Sequence, residues 1–260
     1  MSTMMQPTYL HRPFTLVSSK MDNYRTRSLT FAEKLDCQPG QYVMAWLPGV
    51  GEKPFSIAGD DPLQLMVVDV GAVSHSLHAV AEGQRVWIRG PLGQGYRLVG
   101  QRVLLAAGGY GVAPLYYLAR KALAAGMSAE VCMGARSAED VLWAERFQAL
   151  GVPVRVMTED GSMGERGLVT QATEAAIAAA KPDSLCACGP LGMLEALDRQ
   201  CERLGVARQL SWEAHMRCGM GLCGSCELPA PQGEDGSLRR HSCQEPGWLA
   251  CLDGPVSWKE

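Results

Sequence analysis

The pattern of apolar and polar positions divides the chain into three stretches. Up to about residue 99, short runs rich in β-branched and aromatic residues alternate with glycine and proline: RPFTLVSS, RSLTFAE, QYVMAWLP, LQLMVVDVG and QRVWIRG. Runs of that length and spacing predict a barrel or sandwich of short strands. From about 101 to 212 strand-like runs are each followed by a helical one. RVLLAAG leads to APLYYLARKALAAG, AEVCMGA to AEDVLWAERFQAL, PVRVMTED to TQATEAAIAAA, and SLCACG to LGMLEALDRQCERLG. Such alternation predicts a parallel sheet flanked by helices. The last stretch has no long periodic segment and is rich in glycine, cysteine and proline. A metal is expected to stand in for a hydrophobic core there. The expected organisation is an all-β domain over 1–99, an α/β domain over 100–212 and a small lobe over 213–260.

Composition leaves this picture in place and narrows the function. With 260 residues, 47% of them hydrophobic and 20% charged, the chain can bury more than one core. A formal net charge of -3 gives no global basic field for nucleic acid or an anionic membrane. The start of the chain, MSTMMQPTYLHRP, lacks a basic segment followed by an apolar core, so the expected location is the cytoplasm. The uncharged stretch between Arg102 and Arg120 is short for a membrane span, and Gly108, Gly109, Gly111 and Pro114 interrupt it.

The ten cysteines are unevenly spread. Cys37, Cys132, Cys186 and Cys201 lie in apolar or mixed segments and read as small buried hydrophobes. Cys218, Cys223, Cys226, Cys243 and Cys251 crowd into the last stretch. Cys218, Cys223 and Cys226 are separated by four and then two residues, the spacing of plant-type [2Fe-2S] ligation. Three thiolates must converge on one small inorganic core from a single loop, and Gly219, Gly221 and Gly224 let that loop turn tightly. Zinc sites more often pair two short Cys-x-x-Cys knuckles, and only one is present. A disulfide set is the bland alternative. Spacing leaves the fourth ligand open between Cys243 and Cys251.

Two glycine turns follow apolar strands. VLLAAGGYGVAPL places Gly108, Gly109 and Gly111 before a helix, where backbone could approach a dinucleotide. LCACGPLGML places Cys188, Gly189 and Pro190 before another. Taken alone, the first reads equally well as a structural turn. Both sit at the carboxyl ends of strands, where ligands of open α/β sheets bind. Earlier, Lys53, Pro54, Phe55 and Ser56 combine a cation, a ring and a hydroxyl that suit a flavin, and VDVGAVSHSL carries Asp69, Val70, Gly71 and Ser74. By themselves these are two ordinary strand–turn junctions.

In this order, the motifs resemble the ferredoxin-reductase superfamily, and within it the electron-transfer subunits of dihydroorotate dehydrogenases whose catalytic partner bears FMN. The resemblance covers essentially the whole chain and implies an antiparallel β-barrel for FAD over 1–99, a parallel-sheet α/β domain for NAD over 100–212 and a [2Fe-2S] lobe over 213–260. KPFS is similar to the family's Arg-Pro-x-Ser flavin motif, with Lys53 in place of arginine; VGAVSHSL is similar to its Val-Gly-x-x-Thr/Ser stretch near the FAD phosphates; GPLGQGY, GGYGVAPL and CGPLGML match further family motifs. Tyr110 stands where smaller aliphatic residues are common. SWEAHMRCGMGLCGSCEL resembles the cluster loop, and CLDGPV the terminal segment, which assigns Cys251 as last ligand beside an extra Cys243.

The resemblance implies FAD, a [2Fe-2S] cluster and NAD as cofactors. A nicotinamide exchanges a hydride and the cluster a single electron, so the flavin must stand between them. It implies Cys188 as a thiol close to nicotinamide and flavin. It also implies an FMN-containing catalytic partner that oxidises dihydroorotate to orotate, in a heterotetramer of two of each subunit. The alternatives are a related subunit serving a hydrogenase, a sulfide dehydrogenase or a transhydrogenase-type flavoenzyme, and a flavin-free metal-binding module.

Overall fold

In the computed structural model, the described residues are 9–228 and 248–249. The first domain is a closed six-stranded antiparallel barrel made from β1 (Arg12–Asn23), β2 (Thr26–Phe31), β3 (Tyr42–Leu47), β4 (Gly51–Asp60), β5 (Leu63–Val68) and β6 (Arg85–Leu92). The strands run around the barrel in the order β1-β2-β5-β4-β3-β6, with the short helix α1 (Ala72–His78) between β5 and β6. Closure leaves no edge strand to protect. Inward positions such as Leu16, Leu29, Phe31, Val43, Ile57, Val67 and Ile88 have no exposed surface.

One sequence expectation changes here. EKPFSIAG follows a strand in the sequence reading, but Gly51–Asp60 is itself strand β4, paired with β3 from Tyr42↔Ser56 to Leu47↔Gly51. Proline and glycine are poor strand formers, yet barrel closure supplies neighbours on both sides of β4.

The second domain contains β7 (Arg102–Gly108), α2 (Val112–Ala124), β8 (Ser128–Ala135), α3 (Ala144–Ala149), β9 (Val154–Thr158), β10 (Glu165–Arg166), α4 (Val169–Ala180), β11 (Ser184–Cys188), α5 (Leu191–Leu204) and β12 (Ala207–Ser211). The sheet is parallel throughout and ordered β10-β9-β8-β7-β11-β12. The chain builds outward from β7 to β10, then returns to lay β11 on the other side of β7. The crevice between the ends of β7 and β11 is therefore the topological switch point.

AEDVLWAERFQAL is expected to be one helix. Only Ala144–Ala149 is α-helical, after a 3-10 turn over Ala138–Asp140. Between them Trp143 adopts φ 60, a left-handed conformation rare for a bulky residue. Its ring Nε1–H donates to Asp22 of the barrel at 2.9 Å, and Arg146 stacks on the ring at 4.1 Å. That tertiary anchor overrides the local helical pattern.

The two domains share side chains. Tyr117 of α2 is fully buried in the barrel core, and its hydroxyl donates to the Cys37 carbonyl at 2.8 Å. The Tyr96 hydroxyl, on the segment joining the domains, donates to the Ala187 carbonyl at 2.9 Å. After β12 the chain runs without regular structure through the cysteine loop to β13 (Glu227–Leu228), which pairs with β14 (Trp248–Leu249). Replacing Tyr117 by Phe removes one buried interdomain hydrogen bond and is expected to cost about 1–2 kcal/mol, read as a lowered denaturation midpoint with little change in secondary structure.

Candidate functional site

Two cavities meet at the switch point. The first, about 300 Å³, lies between the barrel and the end of β11. Pro54, Phe55 and Ser56 of β4 form one wall with Tyr42 of β3, while Cys188, Ser211, Glu213 and Met216 form the other. Val70 and Tyr110 stand at this cavity with 76% and 46% of their surface exposed. Large apolar side chains left open around a cavity are what a flat aromatic ring would cover.

The second cavity, about 470 Å³, runs along the carboxyl ends of the parallel strands. Gly108 and Gly109, Gly134 to Arg136, Glu159, and Pro190 with Met193 line it in turn. Tyr110 and Val68 line both cavities. The two spaces are adjoining halves of one site.

The glycines that border this site have different duties. Gly109 has φ +52 with nothing within 4 Å of where a Cβ would stand, so it faces open space. A Cβ on Gly111 would lie 2.1 Å from the Cys188 carbonyl oxygen, and one on Gly108 would lie 2.7 Å from Pro190 Cδ. The two strand-end turns interlock, and glycine is required there by the neighbouring turn before any ligand is considered.

The remaining flavin-motif positions are also spread over different duties. Lys53 is exposed and does not line either cavity. Asp69 Oδ2 bonds His75 Nδ1 at 2.9 Å. The Ser74 Oγ accepts the N–H groups of Val70 and Gly71, each at 3.0 Å, and donates to the Gly71 carbonyl at 2.9 Å. Its hydroxyl thereby closes the turn that opens α1.

The cysteine loop is fastened to the barrel. Arg89 of β6 donates through Nη2 to the Cys218 carbonyl at 2.8 Å, and the Tyr42 hydroxyl donates to the Gly219 carbonyl at 3.2 Å. Gly219 has φ +65, and a Cβ there would press on Met44 and Leu92 at 3.3 and 3.4 Å. Cys226 is buried against Tyr42, Met44 and Leu92. Cys223 and Leu222 face outward.

The loop suits a thiolate-ligated cluster. The Met220 N–H donates to Cys218 Sγ at 3.5 Å, and hydrogen bonds from Ser225 and from Cys218 lower the Cys223 thiol to about 6, which favours the thiolate form that metal ligation needs. Among the described residues no three metal-binding side chains converge on one point. Cys243 and Cys251 lie outside the described residues.

Comparison with known proteins gives these cavities a family. Residues 213–260 match the profile described as the iron-sulfur cluster binding domain of dihydroorotate dehydrogenase B, and residues 105–199 match the oxidoreductase NAD-binding domain. A Thermococcus kodakarensis protein named "Probable dihydroorotate dehydrogenase B (NAD(+)), electron transfer subunit" is 37% identical over 88% of this chain and 88% of its own length. A Pyrococcus abyssi protein of the same name is 38% identical over 88% of this chain and 83% of its own. The chain belongs to the family of dihydroorotate dehydrogenase B electron transfer subunits.

A solved structure of an NADH-dependent reduced ferredoxin-NADP oxidoreductase superposes on it with a TM-score of 0.80 and 25% identity, covering 98% of this chain and 90% of that one. The barrel and α/β domains thus share their fold with that reductase, and FAD, NAD and a [2Fe-2S] cluster are this family member's cofactors.

Within this member of the family, Cys188 ends β11 with 6% of its surface exposed, and burial with the nearby Glu213 pushes its thiol up to about 12. It is a neutral thiol and weak hydrogen-bond donor, not a nucleophile. Glu213 is raised by burial, partly offset by the Tyr110 hydroxyl that donates to Oε2 at 3.0 Å. Tyr42 and Arg89 line or brace this region and no motif announces them, while Glu213 lies in the cluster-loop motif without being singled out. For Tyr42 and Arg89 the only sequence signals are polar groups inside or beside otherwise apolar strand ends.

The far end of the nucleotide cleft carries a charge cluster. Asp140 accepts Arg136 at 3.1 Å and the Tyr24 hydroxyl at 3.1 Å, and pairs with Arg25 at 3.5 Å. Arg136 follows the second strand of the sheet, where dinucleotide folds meet the adenosine ribose. With Asp140 occupying both guanidinium groups, a 2′-phosphate meets an already neutralised site. Asp140→Asn is expected to improve NADPH use relative to NADH by about tenfold, measured as the ratio of kcat/KM values.

Proposed function

We infer that this chain carries electrons between NAD(H) and a dihydroorotate-oxidising catalytic subunit. The observation that carries the reading is continuity. Tyr110 and Val68 line both the nucleotide cleft and the barrel cavity, and Tyr42 lines that cavity while holding the Gly219 carbonyl of the cysteine loop. This supports adjoining nucleotide and flavin sites, with the cluster loop tied to the flavin cavity through the Tyr42 side chain.

FAD supplies the conversion between two-electron exchange with NAD(H) and one-electron exchange with the cluster. The residues around it bind and orient. Pro54, Phe55 and Ser56 with Tyr42 hold the ring against the barrel, and the neutral Cys188 thiol stands where the nicotinamide must approach. Gly109 and the turn after β7 receive the dinucleotide, while Gly189 and Pro190 complete the opposite lip. Lys53, exposed near the barrel rim, and the Asp69–Ser74 turn are assigned to the phosphate end of FAD.

Cys218, Cys223, Cys226 and Cys251 are assigned as cluster ligands. Cys223 faces outward, which makes that side of the loop the exit toward the partner. The names of the relatives favour a dihydroorotate dehydrogenase partner over a hydrogenase or sulfide dehydrogenase. We assign the partner an FMN and the assembly two copies of each subunit.

Replacing Cys223 by Ser is expected to abolish the cluster's visible absorption and iron while leaving FAD bound, because Cys223 does not line the flavin cavity, whose walls are the barrel, β11 and residues 211–216. Simultaneous loss of flavin counts against independent sites. Cys243→Ser is expected to retain full iron content; a fall to the level of the Cys223 variant transfers the fourth-ligand role from Cys251 to Cys243. Purified with the catalytic subunit, the pair is expected to form orotate from dihydroorotate only when NAD⁺ or another acceptor is present. Absence of orotate with a folded, flavin-loaded complex overturns the assignment. The same assay on a chromatographically sized complex tests the two-plus-two stoichiometry.

A further inference from the structure

Arg89 is a charged side chain placed where its cost must be offset by something specific. It lies on β6 with 4% of its surface exposed. Burying a guanidinium is expensive unless it is paired and hydrogen-bonded. Glu52 of β4 meets it in a two-pronged arrangement, Nε to Oε1 at 2.6 Å and Nη2 to Oε2 at 3.0 Å. His11 reaches the same carboxylate at 2.7 Å from the other side.

The pair is more than a barrel brace. Arg89 Nη2 also donates across 129 positions of sequence to the Cys218 carbonyl at 2.8 Å, and the buried Nη1 has no partner among the described residues. A fixed positive charge is thereby held against the backbone of the first cysteine in the loop. The Glu52 carboxylate stands just behind it.

We propose that Arg89 is a positioning and potential-setting residue for the iron-sulfur cluster, with Glu52 as the counter-charge that trims its effect. The proposal rests on Cys218 being a cluster ligand. Two consequences follow from the geometry. The guanidinium fixes the Cys218 limb to the barrel wall, and so fixes the cluster's position relative to the flavin cavity on the same barrel. A reduced cluster carries one more negative charge than an oxidised one, so a cation held beside it favours reduction. Removing Arg89 also leaves the Glu52 carboxylate with only its His11 contact, so its charge is no longer matched by the guanidinium, which adds to the effect in the same direction. Removing the Glu52 charge has the opposite sign.

The test is a redox titration of the intact, flavin- and cluster-loaded protein, following the cluster by electron paramagnetic resonance. Arg89→Gln is expected to lower the ratio of reduced to oxidised cluster at a fixed applied potential by roughly tenfold, a shift of about 59 mV for one electron. Glu52→Gln is expected to raise that ratio by a similar factor. Arg89→Lys keeps the charge but not the fork, and is expected to stay within about threefold of the parent.

Shifts of the same sign in the two neutral variants, or no shift in either, overturn the proposal. A purely structural role predicts the first of these, because both changes would loosen the same brace. If Arg89→Gln does not yield folded protein, Glu52→Gln and Arg89→Lys decide the matter: an unmoved potential in Glu52→Gln rejects it. Iron content of Cys218→Ser separates the two layers of the argument. Full iron in that variant refutes the ligand assignment, whereas loss of iron there with unmoved potentials in the Arg89 and Glu52 variants refutes the role of Arg89 alone.

Discussion

The site depends on how closely the turns after β7 and β11 approach each other. Gly111 sits so near the Cys188 carbonyl that a side chain would stand 2.1 Å from it. This contact closes the switch point of the sheet from below and leaves the space above it open. The nucleotide cleft lies on one side of that contact and the barrel cavity on the other, with Tyr110 projecting between them. A bulkier turn would push the two strand ends apart and separate the two cavities. Under the proposed function that gap would matter, because hydride transfer needs reacting atoms within about 3–3.5 Å.

The barrel is the common support for the rest. Its strand β4 supplies Pro54, Phe55 and Ser56 to the flavin cavity, and Tyr42 of β3 reaches from that cavity to the Gly219 carbonyl. The same barrel buries Tyr117 from α2 and accepts the Trp143 ring nitrogen on Asp22. Each proposed site is therefore built against the same barrel. Cys188 is buried and its thiol is pushed up to about 12, while Cys223 is exposed and its thiol is lowered to about 6. One thiol type serves two purposes because burial raises its proton affinity and hydrogen-bond donors lower it.

Much of this was legible along the chain. Strand–helix alternation gave the parallel sheet, since periodicity is a local property that survives any tertiary arrangement. The spacing of Cys218, Cys223 and Cys226 pointed to a cluster because the ligands lie on one short loop. Where the readings departed, a long-range contact was responsible. Trp143 interrupts an otherwise helical pattern because its ring nitrogen reaches Asp22, 121 positions away. KPFS is strand and not a junction because barrel closure pairs it with β3. The turn at Gly108 and Gly111 reads equally as a ligand turn or a structural one; the adjacent turn excludes their side chains, and Gly108 also lines the cleft.

By itself the sequence determined the three-part order, the sheet-and-helix alternation, the position of the cluster loop and, by its motifs, the kind of cofactors. All of these depend on residues close together in the chain. Only the tertiary structure decided that Tyr110 stands between the two cavities, that the Ser74 hydroxyl is spent within its own turn, and that Arg89 and Glu52 form a buried pair against the Cys218 carbonyl. These depend on side chains brought together from distant positions. A lone arginine in QRVWIRG and a lone glutamate before KPFS carry no mutual signal until closure of the barrel sets their strands side by side around β3 and the cluster loop folds back onto them.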